Sequence, residues 1–301
     1  MKSVVVASGK GGTGKTTMTA LFAHLAARRA AVVVADGDVE ASNLPLALHA
    51  EGGECLAFPG GEKAEIDPAA CTACGLCTEV CRFDAIAFGD ASGVYRIDPF
   101  ACEGCRRCAR VCPSDAIAML PSTAGEACIG ASVVGPIAFG QLGPGEDLSG
   151  KLVTEVRRLG ADAAAEHRAD VLFIDGPPGI GCPLIAAVAS TDLVVAVAEP
   201  TVSGAHDLGR LADVAARLKL PVRVVLNKAD LSEEGTRRIY ETCVTRGLPV
   251  LAEIPFDPAL AELLGDFAAG GRVADDFDSP GMSAAATAWD AIARELELPR
   301  A

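Results

Sequence analysis

The sequence predicts an α/β fold: a mostly parallel sheet flanked by helices, interrupted in its middle by a small α+β module. Three observations carry that expectation. Apolar runs such as Val32-Val33-Val34-Ala35 and Val171-Leu172-Phe173-Ile174 alternate with helical stretches, the pattern of a sheet covered on both faces. The segment Gly9-Lys10-Gly11-Gly12-Thr13-Gly14-Lys15-Thr16-Thr17 stands between a strand-like run and a helical one. Eight of the twelve cysteines fall into two identically spaced groups within residues 71–112.

Bulk properties narrow the classes. The chain has 301 residues, half of them hydrophobic, enough for one large domain carrying a smaller one. A net charge of −14 argues against nonspecific nucleic-acid binding, which needs a basic surface, and leaves only a local basic patch open. Met1-Lys2-Ser3 runs straight into Val4-Val5-Val6 without a signal-peptide layout, and no apolar run reaches the roughly 18 residues of a membrane span. A cytoplasmic location without a membrane anchor is expected. The last stretch, AAATAWDAIARELELPRA, suits a helix but lacks the Lys-rich face of a surface anchor.

The first strand leads into a loop in which Gly9, Gly14, Lys15 and Thr16 satisfy GxxxxGK[ST]. The following helix, from Thr16 to Arg29, sets Met18, Leu21, Phe22 and Leu25 on one face. Glycines let backbone N–H groups wrap phosphates, Lys15 reaches the β- and γ-phosphates, and Thr16 is placed to ligate Mg²⁺. Val32 to Asp36 reads as a buried strand running into Gly37-Asp38-Val39-Glu40-Ala41-Ser42-Asn43-Leu44. Val171 to Asp175 is another, ending where a Walker B aspartate would hold the Mg²⁺ shell, and Gly176-Pro177-Pro178-Gly179 follows. Strands Leu193 to Ala198 and Val222 to Leu226 each precede a turn and a helical stretch. The second runs into Asn227-Lys228-Ala229-Asp230, an NKxD that reads guanine in GTPases and is otherwise an Asn/Asp turn.

In a reducing compartment the cysteines are expected to hold metal, or to be buried thiols, rather than to form disulfides. Cys71, Cys74, Cys77 and Cys81 follow CxxCxxCxxxC, and Cys102, Cys105, Cys108 and Cys112 repeat it 31 residues later. The same offset superposes Ile66-Asp67-Pro68 on Ile97-Asp98-Pro99 and Asp84-Ala85-Ile86 on Asp115-Ala116-Ile117, so a whole unit is duplicated. The run resembles the bacterial two-cluster ferredoxins, in which the fourth cysteine of each run ligates the other cluster. That resemblance implies one [4Fe-4S] cluster on Cys71, Cys74, Cys77 and Cys112, and a second on Cys102, Cys105, Cys108 and Cys81. The alternative is a pair of structural zinc sites, which also use CxxC pairs but normally need only four ligands separated by a longer loop. Arg82 stands where the second run has Pro113. Arg106, Arg107 and Arg110 read as a solvated helix face or a docking patch.

The loop KGGTGKTT carries a second lysine, Lys10, and so resembles the deviant-Walker ATPases of the MinD/ParA and nitrogenase iron-protein class. The resemblance implies that Lys10 crosses a dimer interface to the partner's nucleotide, and that Asp38, in switch I, orients the attacking water and joins Asp175 in the Mg²⁺ shell. Lys10, Lys15 and Asp38 are thus the expected catalytic groups. It further implies that Asn227 contacts adenine, which selects ATP and keeps GTP open. Across nearly its whole length the chain resembles MinD-superfamily ATPases with an inserted ferredoxin domain, dividing into residues 1–59, 60–121 and 122–301. Pro59-Gly60-Gly61 and Pro121-Ser122-Thr123 are the expected joints. The implied function is an iron-sulfur ATPase that couples Mg-ATP state to electron transfer, as a homodimer or a heterodimer with a related ATPase, serving a redox partner protein. Alternatives are a positioning or cell-division switch with redox-sensing clusters, and a cluster-assembly carrier.

Cys55, Cys128, Cys182 and Cys243 remain, each expected as a small buried apolar residue. Cys182 lies seven residues after Asp175, where the nitrogenase iron protein carries a ligand to its intersubunit cluster. Leu142-Gly143-Pro144-Gly145 occupies the region of the second ligand that such a cluster needs.

Overall fold

The computed structural model describes residues 1–90, 92–269 and 278–299. In chain order the elements are β1 (Lys2–Ala7), α1 (Lys15–Ala27), β2 (Val32–Asp36), α2 (Leu44–Ala47), β3 (Glu51–Ile66), α3 (Leu76–Val80), β4 (Ile86–Gly89), β5 (Val94–Ile97), α4 (Arg107–Val111) and β6 (Ile117–Ser132). There follow β7 (Gly135–Leu142), α5 (Ser149–Glu166), β8 (Val171–Asp175), α6 (Cys182–Val188), β9 (Leu193–Ala198), α7 (Val202–Arg217), β10 (Val222–Asn227), α8 (Glu233–Arg246), β11 (Val250–Ile254), α9 (Pro258–Ala268) and α10 (Pro280–Glu295). Two compact units result: Met1–Cys55 with Ala127–Gln141 and Ser149–Ala301, and Leu56–Glu126 with Leu142–Leu148.

The larger unit is built on a sheet of order β11-β10-β9-β1-β8-β2-β7-β6-β3. From β11 to β7 the strands pair in parallel. β2, β8 and β9 are buried at every position, which is why they read as unbroken Val/Leu/Ile/Ala runs rather than alternating ones. Phe22, Met18 and Leu21 of α1 are fully buried in the same core as Phe173 and Trp289, whose ring centroids lie 5.6 Å apart. Helix starts follow local chemistry: Thr201, Ser232 and Ser279 cap α7, α8 and α10 by accepting from the N–H of Gly204, Gly235 and Met282. At the start of α1 the cap position is Gly14, with no side-chain cap.

The smaller unit shows the duplication as geometry. α3 and α4 are five-residue helices in corresponding places. Asp67 N–H donates to Ala116 O at 2.8 Å, and Asp98 N–H donates to Ala85 O at 2.7 Å. Each half therefore closes on the other half, an exchange related by the same 31-residue offset. β4 and β5 pair antiparallel, with Phe88 and Tyr95 edge to face at 5.2 Å.

Pro59-Gly60-Gly61 and Pro121-Ser122-Thr123, expected as joints, are parts of the 16-residue strands β3 and β6. β3 is the last strand of the sheet, and an edge strand tolerates a proline without loss of a ladder bond on its open side. Cys55 and Cys128, expected as buried thiols, form a disulfide across β3 and β6, with Cys55 exposed and Cys128 buried. Strand pairing brings their Cα atoms to 4.1 Å although 73 residues separate them in sequence. Cys182 is likewise exposed rather than packed, whereas Cys243 is buried as expected.

Candidate functional site

Gly14, at φ 92°, turns the loop into α1 in a left-handed conformation, and a Cβ there would run into the Asn227 amide. Without a capping side chain, the first N–H groups of α1 are left for an external acceptor. Lys15, at the first helical position, is 7% exposed. The Thr13 hydroxyl is buried and has no hydrogen-bond partner among the described residues. These are the features of an anion cradle whose acceptor comes from outside the chain.

Beside the loop, β8 delivers Asp175, fully buried, to the C-terminal edge of the sheet. Thr16 Oγ1 donates to its Oδ2 at 2.6 Å, and Thr19 Oγ1 lies 3.0 Å from its Oδ1. Opposite it in register on β2 stands Asp36, also fully buried. Asp36 accepts from Ser42 Oγ at 2.8 Å, Asp38 N–H at 2.9 Å and Leu44 N–H at 3.0 Å, so it organises the whole turn that follows β2. Burial pushes both carboxyls well above the usual carboxylate range; the Asp175 charge adds to the rise at Asp36 and the Asp38 charge to that at Asp175, while hydrogen bonds at both, and the Lys15 ammonium at Asp175, oppose it. Asp38, half-buried, is also raised by burial, while the Lys15 ammonium and the Ala41 N–H pull it down. Hydroxyl and carboxylate oxygens next to an anion cradle are the donor chemistry that suits Mg²⁺.

On the other side of the loop is a cavity of 230 Å³ lined by Gly12, Gly14, Met18, Asn227, Phe256 and Asp257, among others. Asn227 Nδ2 donates to Thr13 O at 2.8 Å, so the asparagine braces the loop as well as lining the cavity. Asp230, the last residue of the NKxD run, accepts from Phe256 N–H at 2.6 Å and fixes the cavity wall. Lys10 meets a carboxylate of its own chain: its Nζ is 3.1 Å from Glu199 and 3.4 Å from the hydroxyls of Thr201 and Ser203. Lys228 Nζ reaches the same carboxylate at 2.8 Å and Gly12 O at 3.2 Å. Burial works against ionisation of Glu199, but the two lysines hold it below its ordinary value.

Four groups here escape a reading of the sequence: Asp36, Thr19, Glu199 and the Pro255-Phe256-Asp257 wall. A signal existed for Asp36 and Glu199, since a carboxylate ending an apolar run at the C-terminal edge of a parallel sheet faces the crevice where ligands bind. Thr19 and the wall had none.

In the smaller unit the eight cysteines gather into two cavities. Cys71, Cys74, Cys77 and Cys112 line one, with Ile66, Ile117 and Tyr95. Cys81, Cys102, Cys105 and Cys108 line the other, with Ala64, Ile86 and Ile97. Each takes three thiols from one run and the fourth from the other. Cys77 and Cys108 are buried, and burial pushes both thiols up. Cys112 is held down by hydrogen bonds from Ser114 and Ala116 N–H against the opposing effect of burial. Two sets of four thiols in apolar walls are donor sets that could hold two iron-sulfur cubanes or a pair of structural zinc ions.

The sequence matches the model of the CobQ/CobB/MinD/ParA nucleotide binding domain over residues 4–267. It is 33% identical over 264 residues to the uncharacterized protein MJ0578 of Methanocaldococcus jannaschii, covering 87% of each chain. The fold is similar to that of the septum site-determining protein MinD from Pyrococcus horikoshii, solved with Mg-ADP, at a TM-score of 0.55 and 19% identity, covering 97% of this chain and 95% of that one. It is similar also to the cell division ATPase MinD of Pyrococcus furiosus, at 0.55 and 21% identity, covering 98% and 99%. Among the described residues no helix is long and apolar enough to cross a membrane.

Proposed function

Since the chain belongs to the CobQ/CobB/MinD/ParA nucleotide-binding family, we propose that it binds and hydrolyses Mg-ATP as a dimer and couples nucleotide state to electron transfer through two [4Fe-4S] clusters in the smaller unit. One observation carries the redox half of this reading: the eight cysteines form two sets of four with the fourth member exchanged.

The nucleotide half follows from the cradle. Backbone N–H groups of Gly9 to Thr17 and the Lys15 ammonium hold the phosphates; Thr16, Asp38 and Asp175 supply the oxygens for Mg²⁺, which neutralises charge on the phosphates. Asp38 stands on the turn that Asp36 organises and orients the water. Lys10 serves the nucleotide of the second protomer. ATP is favoured over GTP because Asp230, the group an NKxD motif would turn to guanine, is spent on Phe256 N–H. The clusters, bound by Cys71, Cys74, Cys77 and Cys112 and by Cys102, Cys105, Cys108 and Cys81, supply one-electron chemistry. The proposed inserted domain is residues 60–121, within the compact unit.

The likeness to MinD structures favours a second reading, a positioning switch with redox-sensing clusters. One experiment separates the two. An EPR-monitored redox titration of anaerobic protein, with about eight iron and eight sulfide per chain, is run without nucleotide, with ADP, and with ATP on Asp38→Ala. Coupling requires that ATP alone shift a cluster potential by tens of millivolts, on the order of the 59 mV that a tenfold change represents for one electron. Superimposed titrations reject coupling, and zinc in place of iron rejects the clusters.

A further inference from the structure

The two cysteine cavities are related by duplication, yet their mouths are chemically opposite. Around Cys71, Cys74, Cys77 and Cys112 the rim is Thr72, Gly75, Leu76 and Ser114. The corresponding positions around Cys81, Cys102, Cys105 and Cys108 are Glu103, Arg106, Arg107 and Phe83. One turn along α4 from Arg107 stands Arg110, where the first half has Glu79, and Arg82 stands where the second half has Pro113. All four arginines are exposed, and Phe83, which lines the cavity with Arg106 and Arg107, is 42% exposed. Glu62, paired with Arg106, Glu103 and the exposed Asp84 that follows Phe83 in the chain offset only part of this charge. Arg82, Arg107 and Arg110 have no ion-pair partner among the described residues.

On the basis of the cluster reading above, we infer that the Arg82, Phe83, Arg106, Arg107 and Arg110 surface is the docking site of an electron-transfer protein with an acidic face, and that electrons cross at the Cys81/Cys102/Cys105/Cys108 end. A cationic rim around an exposed aromatic ring is the anatomy of a steered, short-lived protein contact. Charge complementarity names the partner: on a chain of net charge −14, a local cationic patch is a place where an acidic protein meets attraction instead of repulsion. The opposite mouth, with no arginine among its lining residues, offers no such attraction.

The test uses the reduced holoprotein and two small acceptors, the Co(III)–EDTA anion and the hexaamminecobalt(III) cation. Each takes one electron from a reduced cluster and leaves as Co(II). Iron and sulfide content and the EPR spectrum of the reduced protein are measured first, and their absence would overturn the cluster reading itself. Raising NaCl from about 10 mM to about 300 mM shortens the screening length from about 30 Å to about 6 Å. With a cationic mouth, oxidation by the anion should slow roughly threefold over that range, although the net charge of the protein predicts acceleration. In Arg82→Gln/Arg107→Gln/Arg110→Gln protein of unchanged iron content the slope should reverse sign. Removing the same charge at Arg210, Arg217 and Arg294 should leave it as in the wild type. Oxidation by the anion that accelerates with salt in the wild type, or a slope untouched by the triple substitution, would overturn the docking site while leaving the clusters in place. An oligonucleotide bound by the wild type and released by the triple variant would assign the patch to nucleic acid instead.

Discussion

Replacing Glu199 with glutamine should tighten the ATP-bound dimer. Lys10 is engaged within its own chain by Glu199, Thr201 and Ser203, and in the proposed dimer it would have to leave them to serve the second protomer's nucleotide. The Lys10 and Glu199 side chains are 32% and 14% exposed, so solvent screens part of the attraction. An ion pair of this kind contributes about 0.5–1 kcal/mol. A symmetric dimer releases two, about 1–2 kcal/mol in all, or about 5–30-fold in the dimer Kd. Because the Glu199 carboxyl is held low, its contribution is complete above the ordinary carboxylate pKa and is lost only as pH falls through the lower folded value, so the restraint persists across about pH 6–8. The assay is sedimentation equilibrium with ATP in an Asp38→Ala background, comparing Glu199 with Glu199→Gln. Glu199 also holds Lys228, so the comparison is repeated with Lys10→Ala, where the effect should vanish. A Glu199→Gln dimer no tighter than its parent at equal nucleotide affinity would refute the reasoning. An effect that survives Lys10→Ala would move the cause to Lys228.

Cys112→Ser should damage the cluster assigned to Cys71, Cys74 and Cys77 and spare the EPR signal of the other, because Cys112 shares their cavity; loss of the opposite signal would mean uncrossed ligation. Alkylation at pH 8 should label the exposed Cys182 and spare Cys243, whose thiol burial raises to about 11. A raised thiol pKa stabilises the fold below the unfolded value near 8.5 and loses that contribution as pH rises towards 11, so labelling of Cys243 should climb over that interval; equal rates at pH 8 would show the site is open. Phe173→Ala, at a fully buried ring packed near Trp289, should cost about 3–5 kcal/mol in chemical denaturation, and a loss under 1 kcal/mol would contradict the described core.

What the sequence disclosed was whatever depends on local order. Val32 to Asp36 and Val171 to Asp175 were legible to the residue, because a strand buried on both faces leaves an uninterrupted apolar run that a carboxylate ends. What it withheld depends on register between distant strands. Asp36 faces Asp175 only because β2 and β8 pair at that level. Cys55 meets Cys128 only because β3 and β6 are neighbours, and compartment chemistry argued the other way. Asn227 was legible as a loop residue near the nucleotide, but its bond to Thr13 O has no trace in an NKxD string. Lys10 was read for its reach towards another chain, while the carboxylate that holds it lies almost two hundred residues away, at the end of an apolar strand.

The Cys55–Cys128 bond changes what kind of object the chain is. With it closed, residues 55–128 form a covalent ring, carrying both cysteine runs, from which two linear tails emerge. One backbone cut inside the ring leaves a single molecule; a cut in either tail makes two. Closure across 73 residues removes about 4 kcal/mol of chain entropy from the unfolded ring in the loop-entropy account. That gain acts on the segment carrying the cysteine cavities whether or not either tail is folded. Opening the bond by a dithiol would return the ring to an ordinary insertion, secured only by its two strands.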